Sequence, residues 1–196
     1  MRIAIIDADL IARKRHRFPN LACMKLSGYY KERGDDVALK LDYDGLSEFD
    51  YVYVSAVFTN TKIPEDVLKR QNVGFGGTGF FYDKAPVLPE EVEHHMPDYH
   101  LYDAWVQAQL SSGGKRAEYK YYMDYSIGLL TRGCFRKCVF CVNRNYNHVR
   151  IHSAFSEFFD PSRPKICFLD DNFFGCGEWQ RILEEVKAAG RPIQFK

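Results

Sequence analysis

Over the first 80 residues, short apolar runs alternate with longer amphipathic stretches. Residues 2–7 are isoleucine-rich and almost wholly apolar until Asp7, the pattern of a buried strand. Residues 20–33 set Leu21, Met24, Tyr29 and Tyr30 near helical spacing. Asn20 is placed to cap that helix and Gly34 to stop it. Residues 37–41 and 51–58 read as further strands. Pro64 suits the first turn of a short helix ending near Gln71, and residues 73–75 then lead into Gly76-Gly77-Thr78-Gly79. Strands alternating with helices predict a parallel sheet with crossover helices. Ligands of such sheets bind beyond the carboxyl ends of the strands, where Asp7, Thr59 and the loop 76–79 fall.

Residues 82–124 break the alternation. They hold Pro86, Pro89 and Pro97, then Ser111-Ser112-Gly113-Gly114, then a tyrosine-rich polar run, with a short helix at 101–110. This composition reads as a connector. Alternation resumes with strands at 126–130 and 165–169, a helix at 153–159 between them, and a strand start at 193–195. The clearest helix is 178–189, with Trp179, Ile182, Leu183 and Val186 at i, i+3, i+4 and i+7. The expected fold class is therefore α/β. Residues 1–81 form a Rossmann-like parallel sheet, 82–124 a connector, and 125–196 the first β/α units of a partial TIM-type barrel. A full (β/α)₈ barrel takes about 250 residues, and about 70 follow Ser126. The expectation is a piece of a longer protein, or an open edge covered by other means.

Composition narrows the function classes. The formal net charge is +1, which gives no bulk electrostatic reason to bind nucleic acid or an anionic membrane. No apolar run approaches the roughly 20 residues of a membrane span, and the N-terminus lacks the shape of a signal peptide. The sequence reads as cytoplasmic. Six cysteines in that compartment argue against a disulfide framework.

Three of the six fall within eight residues: Cys134, Cys138 and Cys141, spaced C-x₃-C-x₂-C. They follow a predicted strand directly, on the face where β/α barrels place their chemistry. Close thiolates on one loop suit an iron–sulfur cluster, and three ligands leave one iron open. Arg132, Arg136 and Lys137 offer positive charge beside them. Zinc is the other metal to weigh. It prefers four closed ligands, for which Cys167, inside a predicted strand, and Cys176 are the available thiols. Asp170 and Asp171 end the strand 165–169, where carboxylates either serve a site or simply stop a strand and cap the next turn. His94, His95 and His100 are not spaced as a helical metal site. Tyr119, Tyr121, Tyr122 and Tyr125 read as packing.

The stretch Thr131 to Cys141, with Phe140 just before the last cysteine, resembles the radical S-adenosylmethionine (SAM) superfamily. The resemblance implies that Cys134, Cys138 and Cys141 hold a [4Fe–4S] cluster whose fourth iron is chelated by SAM. One electron, from a reductant such as a flavodoxin or ferredoxin, then cleaves SAM to methionine and a 5′-deoxyadenosyl radical that acts on a substrate. It places Phe140 against the adenine. It places Asp170, Asp171 and Asn172 at the strand end that contacts the SAM amino group, in the Asp-Asp-Asn form similar to members with a cobalamin-binding-like N-terminal domain. Residues 1–80 resemble that domain, so cobalamin is a further expected cofactor, although no Asp-x-His-x-x-Gly segment is present to supply a histidine to cobalt. The competing expectation is a non-catalytic iron–sulfur or zinc-binding protein.

Overall fold

The apolar run after Met1 forms strand β1 (Arg2–Asp7), with Ile3, Ala4, Ile5 and Ile6 fully buried. It is central in an all-parallel sheet with β2 (Asp36–Lys40), β3 (Tyr51–Ser55) and β4 (Val73–Gly76), in the order β2-β1-β3-β4. Ile3 pairs with Val37 on one side and Tyr51 on the other. The structure is a computed structural model describing residues 1–13 and 15–196. The chain divides into two compact units, Met1–Tyr122 and Met123–Lys196. No helix among the described residues is long and apolar enough to cross a membrane.

In the first unit, Ala4 and Ile6 join Val52, Val54, Leu46 and Val67 in one core. Strand alternation turns Ile3, Ile5 and Asp7 to the opposite face. Asp7 caps a short helix, α1 (Ala8–Ala12), and Asn20 caps α2 (Leu21–Glu32) by accepting from Cys23 N. Helix α2 packs on β1, β2 and β3. The strand expected over 51–58 stops at Ser55, because Val57 N leaves the ladder to donate to Asp9 Oδ2 at 2.7 Å. Pro64 precedes α3 (Glu65–Leu68), and the glycine loop after β4 turns into α4 (Thr78–Phe81).

Residues 82–122 carry α5 (Glu90–Glu93), α6 (Asp103–Ser111) and the start of α7 (Lys120–Met123), and they lie within the first unit. Val92, Tyr102, Val106, Tyr119 and Tyr122 are buried. Gly28 lets the segment 95–98 lie directly on α2, since a Cβ there would sit 2.3 Å from Met96 O. The same contact is tied by Asp98 N to Met24 O, by Ser27 and Lys31 to the Asp98 carboxylate, and by a buried pair in which Lys25 Nζ lies 3.1 Å from Glu93 Oε1.

The second unit contains β5 (Tyr125–Gly128), β6 (Thr131–Arg132), β7 (Arg150–Ile151), β8 (Lys165–Phe168), α8 (Trp179–Lys187) and β9 (Ile193–Phe195). Strands β5, β8 and β9 form a parallel sheet in the order β5-β8-β9, without closure into a barrel. Its core joins Leu130, Phe155, Phe158, Ile166, Phe168, Phe173, Ile182 and Val186. Two features depart from the sequence pattern. Thr131–Arg132 and Arg150–Ile151 pair as a short antiparallel ladder. The helix expected over 153–159 is a single 3₁₀ turn, Phe155–Glu157. Pro161 disfavours the α conformation at Asp160, and Phe155 and Phe158 are both committed to the core.

The Lys25–Glu93 pair yields a prediction. Glu93→Ala removes the carboxylate beside the buried Lys25 ammonium, which keeps its bond to the backbone oxygen of residue 93, and costs about 1–3 kcal/mol. Urea unfolding of the first unit, followed through Trp105 in a Trp179→Phe background, should show that loss. A change below 1 kcal/mol, on the order of a surface pair, contradicts the assigned role.

Candidate functional site

The strand ends of the first sheet are the first place to look for a ligand. The chain reverses direction across the sheet between β1 and β3, and the crevice of such a sheet lies there. In this chain that position is filled by its own side chains. Tyr102 Oη donates to Asp7 Oδ2 at 2.9 Å, and Asn20 Nδ2 donates to Ser55 Oγ at 2.9 Å. His16 Nδ1 lies 2.5 Å from Tyr122 Oη. All of these residues are buried, as is Cys23 beside them. A group inserted between these strand ends, such as the expected cobalamin, would meet this network first.

Burial sets the protonation of the network. It pushes the Asp7 carboxyl up to about 7, against the opposing hydrogen bonds from Tyr102 and Leu10 N. It draws His16 down to about 4, so the imidazole is neutral. Burial also pushes the Cys23 thiol up, which leaves it inert as a nucleophile or ligand.

The cysteine loop belongs to the second unit and leaves the carboxyl end of β5. Its base is built by β8. Asp170 Oδ1 accepts from both Thr131 N and Thr131 Oγ1 at 2.6 Å, and Asp170 Oδ2 accepts from Leu130 N at 3.1 Å. Desolvation raises the Asp170 carboxyl, and those three donors work against the rise. Asp171 accepts from Gly133 N at 3.1 Å and from Asn143 Nδ2 at 2.5 Å. Gly133 has φ +100°, and a Cβ there would lie 2.4 Å from His148 O, so only glycine lets the chain turn out of β6 beside the returning strand. The β6–β7 ladder then closes residues 133–149 into one loop.

Within the loop, Cys141 N donates to Cys138 O at 3.0 Å, which places these two cysteines at the ends of one turn. Asn143 N donates to Cys141 Sγ at 3.4 Å. Lys137 adopts a left-handed φ of +53°, and its ammonium binds Arg144 O at 3.0 Å and Asn147 Oδ1 at 2.5 Å. It therefore braces the loop from within. Cys134, Cys138 and Cys141 are free thiols, partly exposed. Around them Phe135, Val139 and Phe140 are 53%, 85% and 79% exposed, so the apolar side chains interleaved with the thiols are not used in the core.

The predicted site residues thus fall into three groups. The three cysteines share one loop, but no group of three or more His, Cys, Asp or Glu side chains among the described residues converges as a metal site. Asp170 and Asp171 stand at the end of β8 and are bonded to the cysteine loop itself. Asn172 Nδ2 is buried and finds no hydrogen-bond partner. A buried amide donor without an acceptor costs about 1–3 kcal/mol, and this one suits an incoming acceptor such as a sulfide or carboxylate. Cys167 and Cys176 are buried in the unit, Cys176 within its apolar core, so neither is placed to complete a four-thiolate zinc site. Among the described residues, the partly exposed thiols are those of Cys134, Cys138 and Cys141. Thr131, Gly133 and Asn143 escaped the sequence reading. Gly133, directly before the first cysteine, was the one signal available. Nothing local marks Asn143. Comparison with known protein families, curated proteins and solved structures finds no match for this chain.

Two predictions arise from these geometries. Between about pH 4 and 7 the native state keeps a proton on Asp7 that the unfolded chain releases, so Asp7 makes stability fall as pH rises. Between about pH 4 and 6.5 the unfolded chain holds a proton that native His16 lacks, so His16 makes stability rise. Each slope approaches about 1.4 kcal/mol per pH unit, and in the wild type they oppose. Asp7→Asn should unmask a rise with pH and His16→Gln a fall, read as urea midpoints over that window. Parallel profiles for both variants and wild type contradict the assignment. Separately, Asp170→Ala strands three buried donors and should destabilise the second unit by about 3 kcal/mol, while Asp170→Asn recovers part of the loss. Thermal unfolding followed through Trp179 checks it.

Proposed function

We propose that this chain is an iron–sulfur protein of the radical SAM type, with Cys134, Cys138 and Cys141 holding a [4Fe–4S] cluster and the open iron taking SAM. The observation that carries the reading is the cysteine loop: three free thiols at the carboxyl end of β5, held at its base by two carboxylates from the adjacent strand β8. In this reading the first sheet is Rossmann-like and β5, β8 and β9 are the opening strands of a β/α barrel. When bound, the cluster and SAM supply one-electron reductive cleavage of the sulfonium. A flavodoxin- or ferredoxin-type reductant delivers the electron, and the substrate is unassigned.

The chain's own residues do the positioning. Asp170 fixes Thr131 and so the start of the loop. Asn143 N offers a hydrogen bond to the Cys141 sulfur, which stabilises thiolate charge. Phe140, exposed beside Cys141, provides an apolar face for the adenine, and Arg132 and Arg136 add positive charge near the thiolates. Asn172 offers its unpaired amide.

One observation favours a second reading, a metal loop without catalysis. Both carboxylates at the end of β8 already accept from loop donors, which leaves them fewer sites for the SAM amino group. Anaerobic reconstitution separates the readings. The expected result is about four iron and four sulfide per chain, lost in Cys134→Ala, Cys138→Ala and Cys141→Ala, with an electron paramagnetic resonance signal that changes on adding SAM. A full cluster that ignores SAM supports the second reading. A colourless chain that takes up zinc and no iron overturns the iron–sulfur assignment.

A further inference from the structure

We infer that Asp171 is the positioning residue that closes the cysteine loop and, through Asn143, aims a backbone N–H at Cys141 Sγ. The inference rests on the proposed metal-binding role of the loop. One carboxylate reaches both limbs. Oδ2 takes Gly133 N, the residue before Cys134, and Oδ1 takes Asn143 Nδ2, two residues after Cys141. The three cysteines lie between these two points. Asn143 is engaged twice: its side chain by Asp171 and its N–H by the Cys141 sulfur. Turning the Asn143 side chain away from Asp171 therefore releases the N–H that faces the sulfur.

Among the described residues Asp171 is in no ion pair, and its two oxygens divide between the limbs. The neighbouring carboxylate cannot substitute, because Asp170 is committed to Leu130 and Thr131 one step earlier in the loop. The two aspartates thus have different duties: Asp170 fixes where the loop starts, and Asp171 brings its end back to that start. An N–H directed at a ligating sulfur also tunes the metal, since hydrogen bonds to cluster sulfurs raise the reduction potential. Closure and tuning then share one carboxylate.

The pair can be exchanged. Asn143→Asp alone sets two carboxylates against each other. Asn143→Asp combined with Asp171→Asn restores the pair with donor and acceptor reversed: the amide now at position 171 accepts from Gly133 N and donates to the carboxylate now at position 143. In the metal-free chain, amide hydrogen exchange at Gly133 and Asn143 should be about tenfold faster in Asn143→Asp and return toward wild type in the double variant. Amides of β5 and β8 serve as the folding control. If Asn143→Asp unfolds the unit, Asn143→Ala is used instead; it should speed exchange at Asn143 while leaving Gly133 protected. In the reconstituted chain, Asn143→Ala should shift the cluster to a more negative potential without changing its charge or iron content, and the double variant should stay near wild type. Unchanged exchange at both amides in Asn143→Asp, failure of the double variant to recover, or an unchanged potential in Asn143→Ala overturns the inference. A chain that binds no metal sinks the proposed function instead, and the exchange result still decides whether Asp171 closes the loop.

Discussion

A backbone N–H that leaves the end of a parallel strand has lost its ladder partner and must find another acceptor. This protein meets that need with aspartates in both of its sheets. Asp7, at the end of β1, takes Leu10 N, and Asp9 takes Val57 N where the chain leaves β3. Asp170 takes Leu130 N and Thr131 N beyond β5, and Asp171 takes Gly133 N. The loops at the carboxyl ends are therefore shaped by carboxylates more than by their own turn propensities. The two sheets use the device differently. In the first, the carboxylate is sealed beneath Tyr102 and the strand ends are packed shut. In the second, the carboxylates support a loop whose apolar side chains are exposed and whose thiols are partly exposed.

The regular elements were legible because their periodicity is set by burial. The isoleucine run of β1, the Asn20-capped α2, and the α8 stripe of Ile182 and Val186 declare a buried face in the sequence itself. The stretch 82–124 is harder to read from its sequence for a physical reason. Its prolines and glycines are local signals, whereas the burial of Val92, Tyr102 and Val106 depends on partners many residues away. Tyr102 reaches Asp7 across 95 positions, a distance over which no local pattern carries information.

The site divides in the same way. Cysteine spacing is local, so the loop was legible. The role of Asp-Asp-Asn was not, because a carboxylate at a strand end looks the same whether it awaits a ligand or holds a neighbouring loop. Asp170 and Asp171 are both bonded to the cysteine loop, a use that only the three-dimensional structure reveals. Gly133 joins the two levels: its place before Cys134 is visible in the sequence, and the crowding by His148 O that requires it is visible only in three dimensions.

The order in which the chain is made adds a consequence. Asp171 lies 30 residues after Cys141, and synthesis proceeds at about 5–20 residues per second. For roughly 1.5–6 s the newborn thiols exist without the carboxylate that gathers their loop. The three cysteines thus precede, in every round of synthesis, the side chain that brings the end of their loop back to its start. Only once the chain has passed β8 and reached Asp171 is that carboxylate in place.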